Sequence, residues 1–148
     1  MKLLFILFFT PFANTDLSSL RNLYPEASKE EVKANKLLVI AENNSSFNSV
    51  FSGYRGVAKI ILAKYAFNPY KKWNLFNEGK AILESAILLD ANNLELRYLR
   101  LTIQINSPNL LGYKNAINLD KEYLTNNINS VNDEELKNII KNYLLILK

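Results

Sequence analysis

The chain has 148 residues, 49% of them hydrophobic and 22% charged, with a formal net charge of +4, which is enough apolar material for one packed domain. It has no His and no Cys. That excludes imidazole bases, Ser-His and Cys-His nucleophile pairs, disulfides, zinc clusters and lipid attachment on Cys. Catalysis would have to rest on carboxylates, Lys or Tyr. No cofactor and no metal site is expected. Lys and Arg are scattered among Asp and Glu, which reads as a solvated surface rather than a nucleic-acid-binding stripe. Only four Gly and four Pro are present, a scarcity that favours long helices over a turn-rich β fold.

The N-terminus reads MKLLFILFFTPFANTD. Lys2 is a one-charge leader, Leu3 to Phe9 is an unbroken apolar run, and Thr10, Pro11 and Ala13 supply breaker and small residues. This is the form of a secretory signal peptide, and it is too short to span a membrane. Cleavage after Ala13 or Thr15 is expected, with a buried first helix as the alternative reading. The organisation expected is a leader over residues 1–15 and a single α-helical domain over residues 16–148. The mature protein would be periplasmic or secreted, without stable membrane insertion, and a monomer or weak homo-oligomer.

Further along, Asp16 opens a short helix over Leu17, Leu20 and Leu23, which Pro25 stops. Ser28 and Glu31 form a capping box for a helix reaching about Glu42. A helix from Asn48 to Phe67 carries Phe51, Tyr54, Val57, Ala58, Ile61 and Tyr65 at helical spacing, with Gly53 and Gly56 inside it. Asn68-Pro69 ends it, and the next helix runs from Lys72 to Leu89. Leu94 to Asn106 has apolar residues on two faces, which predicts a helix packed on both sides. Tyr113 to Asn127 and a last helix opened by Asn132-Asp133-Glu134-Glu135 complete an all-α fold of about six to seven helices in antiparallel succession.

From Gly79 to Asn93 the sequence GKAILESAILLDANN resembles the second helix and exit turn of a tetratricopeptide repeat, with Gly79, Leu83 and Ala86 matching in type and spacing. Ala91 stands where that family has Pro. The helix before it, through Tyr54, Val57, Ala58 and Ile61, loosely resembles a first repeat helix, separated by an inserted Asn68-Pro-Tyr-Lys-Lys. The resemblance implies antiparallel helix pairs. The whole chain also resembles a group of small exported helical proteins of Gram-negative bacteria, a likeness that implies a location and no activity.

Two places carry candidate chemistry. The stretch KYAFNPYKKWNLF, Lys64 to Phe76, is rich in rings and lysines. Tyr65 and Phe76 belong to core stripes. Phe67, Tyr70 and Trp73 either plug a corner of the core or form a recognition surface, with Lys71 and Lys72 drawing an anionic group. Arg97 and Arg100 stand three apart on a largely apolar helix. Either they pair with Glu84, Glu78 or Asp90, or they line a groove and bind a carboxylate. Glu78, Glu84 and Asp90 do not form a facing pair suited to glycoside hydrolysis. The function these features suggest is a non-enzymatic module binding a peptide or protein through a groove at Tyr70, Lys71, Lys72, Trp73, Arg97 and Arg100. The alternative is a small-ligand carrier or enzyme using Lys or Glu in a cavity between helices.

Overall fold

The computed structural model describes residues 12–46 and 48–147. Met1 to Pro11 of the expected leader lie outside the described residues, and Phe12 to Thr15 fall in the first helix. The order is α1 (Phe12–Ala27), α2 (Glu31–Asn44), α3 (Ser49–Tyr65), α4 (Pro69–Leu89), α5 (Leu94–Asn106), α6 (Ile117–Asn127) and α7 (Glu134–Ile146), with single 3₁₀ turns at Asn109–Leu111 and Ile128–Ser130. Among the described residues there is no strand. The all-α expectation holds.

α3 is the hub. It packs most extensively on α4, then on α2, and also touches α5 and α1. Its sequence explains this: Val50, Phe51, Tyr54, Val57, Ala58, Ile60 and Ile61 are all buried, so apolar residues point in more than one direction. α2 offers a narrow stripe of Ala34, Leu37 and Ala41 instead. α5 is covered on both sides, as its two stripes predict, burying Leu96, Leu99, Leu101 and Ile103.

The α3–α4 pair is closer than side chains normally allow. Gly56 and Gly79 stand nearly equally far from the turn at Ala66 to Asn68, which is the pairing of antiparallel neighbours. A Cβ on Gly56 would lie 2.6 Å from the Gly79 carbonyl oxygen, and one on Gly79 would lie 2.4 Å from that of Gly56. Backbone meets backbone here, and only Gly permits it.

Four helix starts are capped by Asn or Asp, each accepting from an amide two or three residues on. Asn68 is one of them, accepting from the Tyr70 amide at 2.8 Å. Here the expected organisation needs correction. Pro69 occupies the first turn of α4 rather than ending α3, because its missing N–H and fixed φ suit that position. Pro69-Tyr-Lys-Lys is therefore the opening of a helix, not an inserted loop. The connection is short.

Other boundaries shift for local reasons. Pro25 does not stop α1, which runs to Ala27; near a helix end proline forfeits little, and buried Ala27 anchors the last turn. Ser28 makes no capping box. Its hydroxyl donates to the Pro25 carbonyl at 2.9 Å, so it closes α1, and Glu30 precedes α2 with no side-chain cap. α6 begins at Ile117, not Tyr113, because Gly112 takes a left-handed φ of 61° and Tyr113 turns inward, 1% exposed.

Candidate functional site

A groove of about 1030 Å³ opens where the C-terminal ends of α1, α3 and α5 meet the start of α4, with the 107–111 segment and α7 closing its sides. Its floor is built from Ile60, Ile61, Phe76, Tyr98 and Ile103, all buried. Its rim carries Trp73 and Leu110, which are 54% and 95% exposed. The start of α4 sets this face. With Asn68 as cap and Pro69 in the first turn, Pro69, Lys72, Trp73 and Phe76 recur at three- and four-residue spacing along one side of the helix. Tyr143 of α7 lines the groove and packs edge-on against Tyr98, with ring centroids 5.5 Å apart.

Four polar side chains of the lining are bonded within the fold. Tyr24 Oη bonds Thr102 Oγ1, and Thr102 in turn donates to the Leu99 carbonyl at 2.8 Å, which makes Tyr24 the donor of the first bond. Ser107 Oγ donates to the Ile103 carbonyl and Asn106 Nδ2 to the Thr102 carbonyl. Lys64 and Lys72 are the charged residues of the lining, and no carboxylate joins them. Lys64 Nζ donates to the Ser28 carbonyl at 2.8 Å, and the Lys72 ammonium has no carboxylate partner among the described residues. The groove is thus apolar inside and positive at one edge.

Of the residues expected to bind, Lys72 and Trp73 line this groove. Tyr70 (74% exposed) and Lys71 lie on the adjacent surface without lining it. Phe67, Tyr70 and Trp73 are all exposed, so the corner is surface and does not plug the core. Arg97 and Arg100 are elsewhere. Arg100 gives Nε and Nη2 to Asp120 at 2.7 and 2.8 Å, and Nη1 to Glu84 at 2.9 Å. Arg97 donates to Asp120 at 3.0 Å and to the Ala91 carbonyl, and its guanidinium lies 4.8 Å from the Tyr123 ring centroid. The single groove expected to unite Tyr70 and Trp73 with the two arginines is therefore not formed, because fully buried Asp120 of α6 claims both guanidinium groups. Glu84 was among the expected partners; Asp120 was not. Glu78 pairs with Lys59 instead.

A second ionic cluster ties α1 to three other helices. Arg21 pairs with Glu95 of α5 at 2.7 Å, with Asp133 at 2.8 Å and with Glu135 at 2.9 Å, while Tyr54 of α3 donates to Glu95. Burial alone would push the Asp133 carboxyl up, but bonds from the Leu136 amide and Arg21 outweigh it and hold the group below its ordinary range. Beside this cluster lies a small, partly open cavity of about 50 Å³. Among the described residues no group of Asp and Glu is placed to hold a metal ion, and no helix is long and apolar enough to cross a membrane.

The phenols report the same packing. Burial pushes Tyr24, Tyr54 and Tyr113 well above the ordinary phenol range, with the Glu95 carboxylate adding to the effect on Tyr54 and Glu84 to that on Tyr113. Tyr98 is pushed up to about 12, again mainly by burial. A raised phenol stabilises the fold fully below pH ~10 and loses that contribution as pH rises beyond it. In an alkaline titration these four rings are expected to ionise together with unfolding, so that their share of the rise near 295 nm, four of the chain's eight phenols, comes only in step with loss of helical circular dichroism. Their ionisation one by one in a still-folded chain would contradict the burial.

No family model, curated protein or solved structure matches this chain.

Proposed function

We propose that the protein is an exported, non-enzymatic helical module, built of tetratricopeptide-like helix pairs, that binds a peptide or protein partner in the groove beside Trp73. The observation that carries this reading is the lining: a large apolar concavity with an exposed Trp on its rim, two lysines at its edge and no carboxylate. Trp is the side chain most often dominant in binding, and a half-exposed ring at a groove mouth loses water on association. The close Gly56–Gly79 packing of α3 on α4 supports the helix-pair part of the proposal, and the apolar run Leu3 to Phe9 supports export.

The buried carboxylates Glu95 and Asp120 are held by Arg21 and by Arg97 and Arg100, so they favour scaffolding over acid–base work. The groove's volume gives a second reading some support, that of a carrier for a small apolar ligand.

The test uses Trp73→Ala combined with Lys72→Gln, compared with the natural sequence by thermal unfolding and by affinity capture from the native envelope. Both side chains are exposed, so stability is expected to change by less than about 1 kcal/mol while one captured partner is lost. Retention of every partner, or losses that simply follow a lowered melting temperature, would count against the groove.

A further inference from the structure

We infer that the occupant of this groove is an acidic amphipathic helix, its apolar face on the floor and its carboxylates toward Lys64 and Lys72. The inference rests on the partner-binding reading above and specifies the partner's chemistry.

The first argument is hydrogen bonding. Tyr24, Thr102, Asn106 and Ser107 spend their bonds on one another or on the backbone of α5. Apart from the Tyr98 hydroxyl, the rest of the floor is hydrocarbon and ring. An extended peptide laid there would leave its own N–H and C=O groups facing a surface with few groups to answer them, and unpaired buried amides are costly. A helix satisfies its backbone internally and brings only side chains.

The second argument is size. Two turns of a helix 10 Å across occupy about 850 Å³, and the open groove offers room of that order, about 1030 Å³. A helix presenting apolar residues at i, i+3 or i+4, and i+7 meets a floor of this extent with one face.

The third is charge. Arg21, Arg97 and Arg100 and three lysines are paired with carboxylates within the fold. Lys64 and Lys72, like most of the chain's lysines, have no ion pair among the described residues, but these two border the groove, and no acidic side chain lines it. An occupant with Asp or Glu flanking its apolar face supplies the missing charges, and a basic helix would meet repulsion there.

The experiment is a selection. A phage-displayed library of random 16-residue peptides is panned against the intact chain, with counter-selection on a Lys64→Glu, Lys72→Glu variant; both lysines are exposed, and an unchanged melting temperature confirms that the variant is folded. Winning peptides are synthesised, and binding is followed by the fluorescence of Trp73, the chain's sole tryptophan. The expected winners carry apolar residues at i, i+3 or i+4, and i+7 with Asp or Glu beside them. They should gain helical circular dichroism on binding, shift Trp73 emission to the blue, and bind the charge-reversed variant at least ten-fold more weakly.

Winners with alternating apolar residues or internal Pro, bound without helix formation, would overturn the helical occupant and leave the groove a peptide site. If no peptide depends on the groove while palmitate saturably shifts Trp73 emission, both the helix and the peptide reading fall, and the groove is a lipid carrier's. If neither peptide nor palmitate binds, both fall as well.

Discussion

Replacing Arg100 with Ala is expected to destabilise the fold by about 3–5 kcal/mol, the penalty for stranding a buried charge, which lowers the melting temperature by about 10–20 °C at this chain length. The reason is Asp120. It is fully buried, and Arg100 supplies two of the three guanidinium bonds that neutralise it. After the change Asp120 keeps only the 3.0 Å bond from Arg97. Glu84, whose side chain is 33% exposed, can turn to water, so most of the cost falls on Asp120. Arg97→Ala removes one bond from the same carboxylate and should cost clearly less. Urea unfolding of both variants decides the matter: a loss under about 1 kcal/mol for Arg100→Ala would place the network with ordinary surface ion pairs. Partner capture below both melting points should be unaffected, since Arg100 has its donors committed within the fold. A partner lost from a fully folded Arg100→Ala chain would return that residue to the binding surface.

The second large effect is Gly79→Ala, expected to cost about 2–3 kcal/mol in net stability although Ala is the better helix former by about 1 kcal/mol. The new Cβ would lie 2.4 Å from the Gly56 carbonyl oxygen and 2.9 Å from the Ile60 amide nitrogen. Neither atom is the free end of a side chain, so α4 must move off α3 along its length. Gly53→Ala makes an informative contrast. Its closest neighbour is a terminal carbon of Leu96 at 2.3 Å, which can rotate away. Thermal unfolding should therefore separate the two, with Gly53→Ala much the milder. Equal effects would mean that the α3–α4 approach is more compliant than its geometry indicates.

The parts of this fold that sequence reading reached are those governed by periodicity. α5 begins and ends where its stripes and the Asn93 and Ser107 flanks indicate, and the Asp133 cap of α7 forms as its sequence suggests. What periodicity could not reach was the meaning of individual breakers. Pro69 is compatible with the end of one helix or the first turn of the next, and the choice depends on Asn68 turning its side chain onto the Tyr70 amide. Ser28 likewise had two backbone partners within reach and took the one behind it. The groove was half legible. Lys72 and Trp73 stood out locally, and Lys64 and Phe76 lay within the same stretch. Tyr98, Ile103 and Tyr143 are distant in the chain and join the site only through tertiary packing. The arginines misled because their spacing shows a shared face but not the carboxylate opposite, and Asp120 stands on a helix that sequence alone does not place beside α5.

Arg21 has a consequence for the order of assembly. Its bonds close intervals of 74, 112 and 114 residues, the two longer ones spanning most of the described length. Loops of that size carry a closure entropy on the order of 4 kcal/mol before any contact rewards it, so these bonds are expected to form late in folding. A chain emerging vectorially from a ribosome or a translocation pore cannot complete α1's final docking until the Asp133–Glu135 turn has followed it out. Until then Arg21 has Glu95 at most, and the wall of the groove that Tyr143 supplies does not yet exist. The groove thus gains its Tyr143 side only after α7 has emerged.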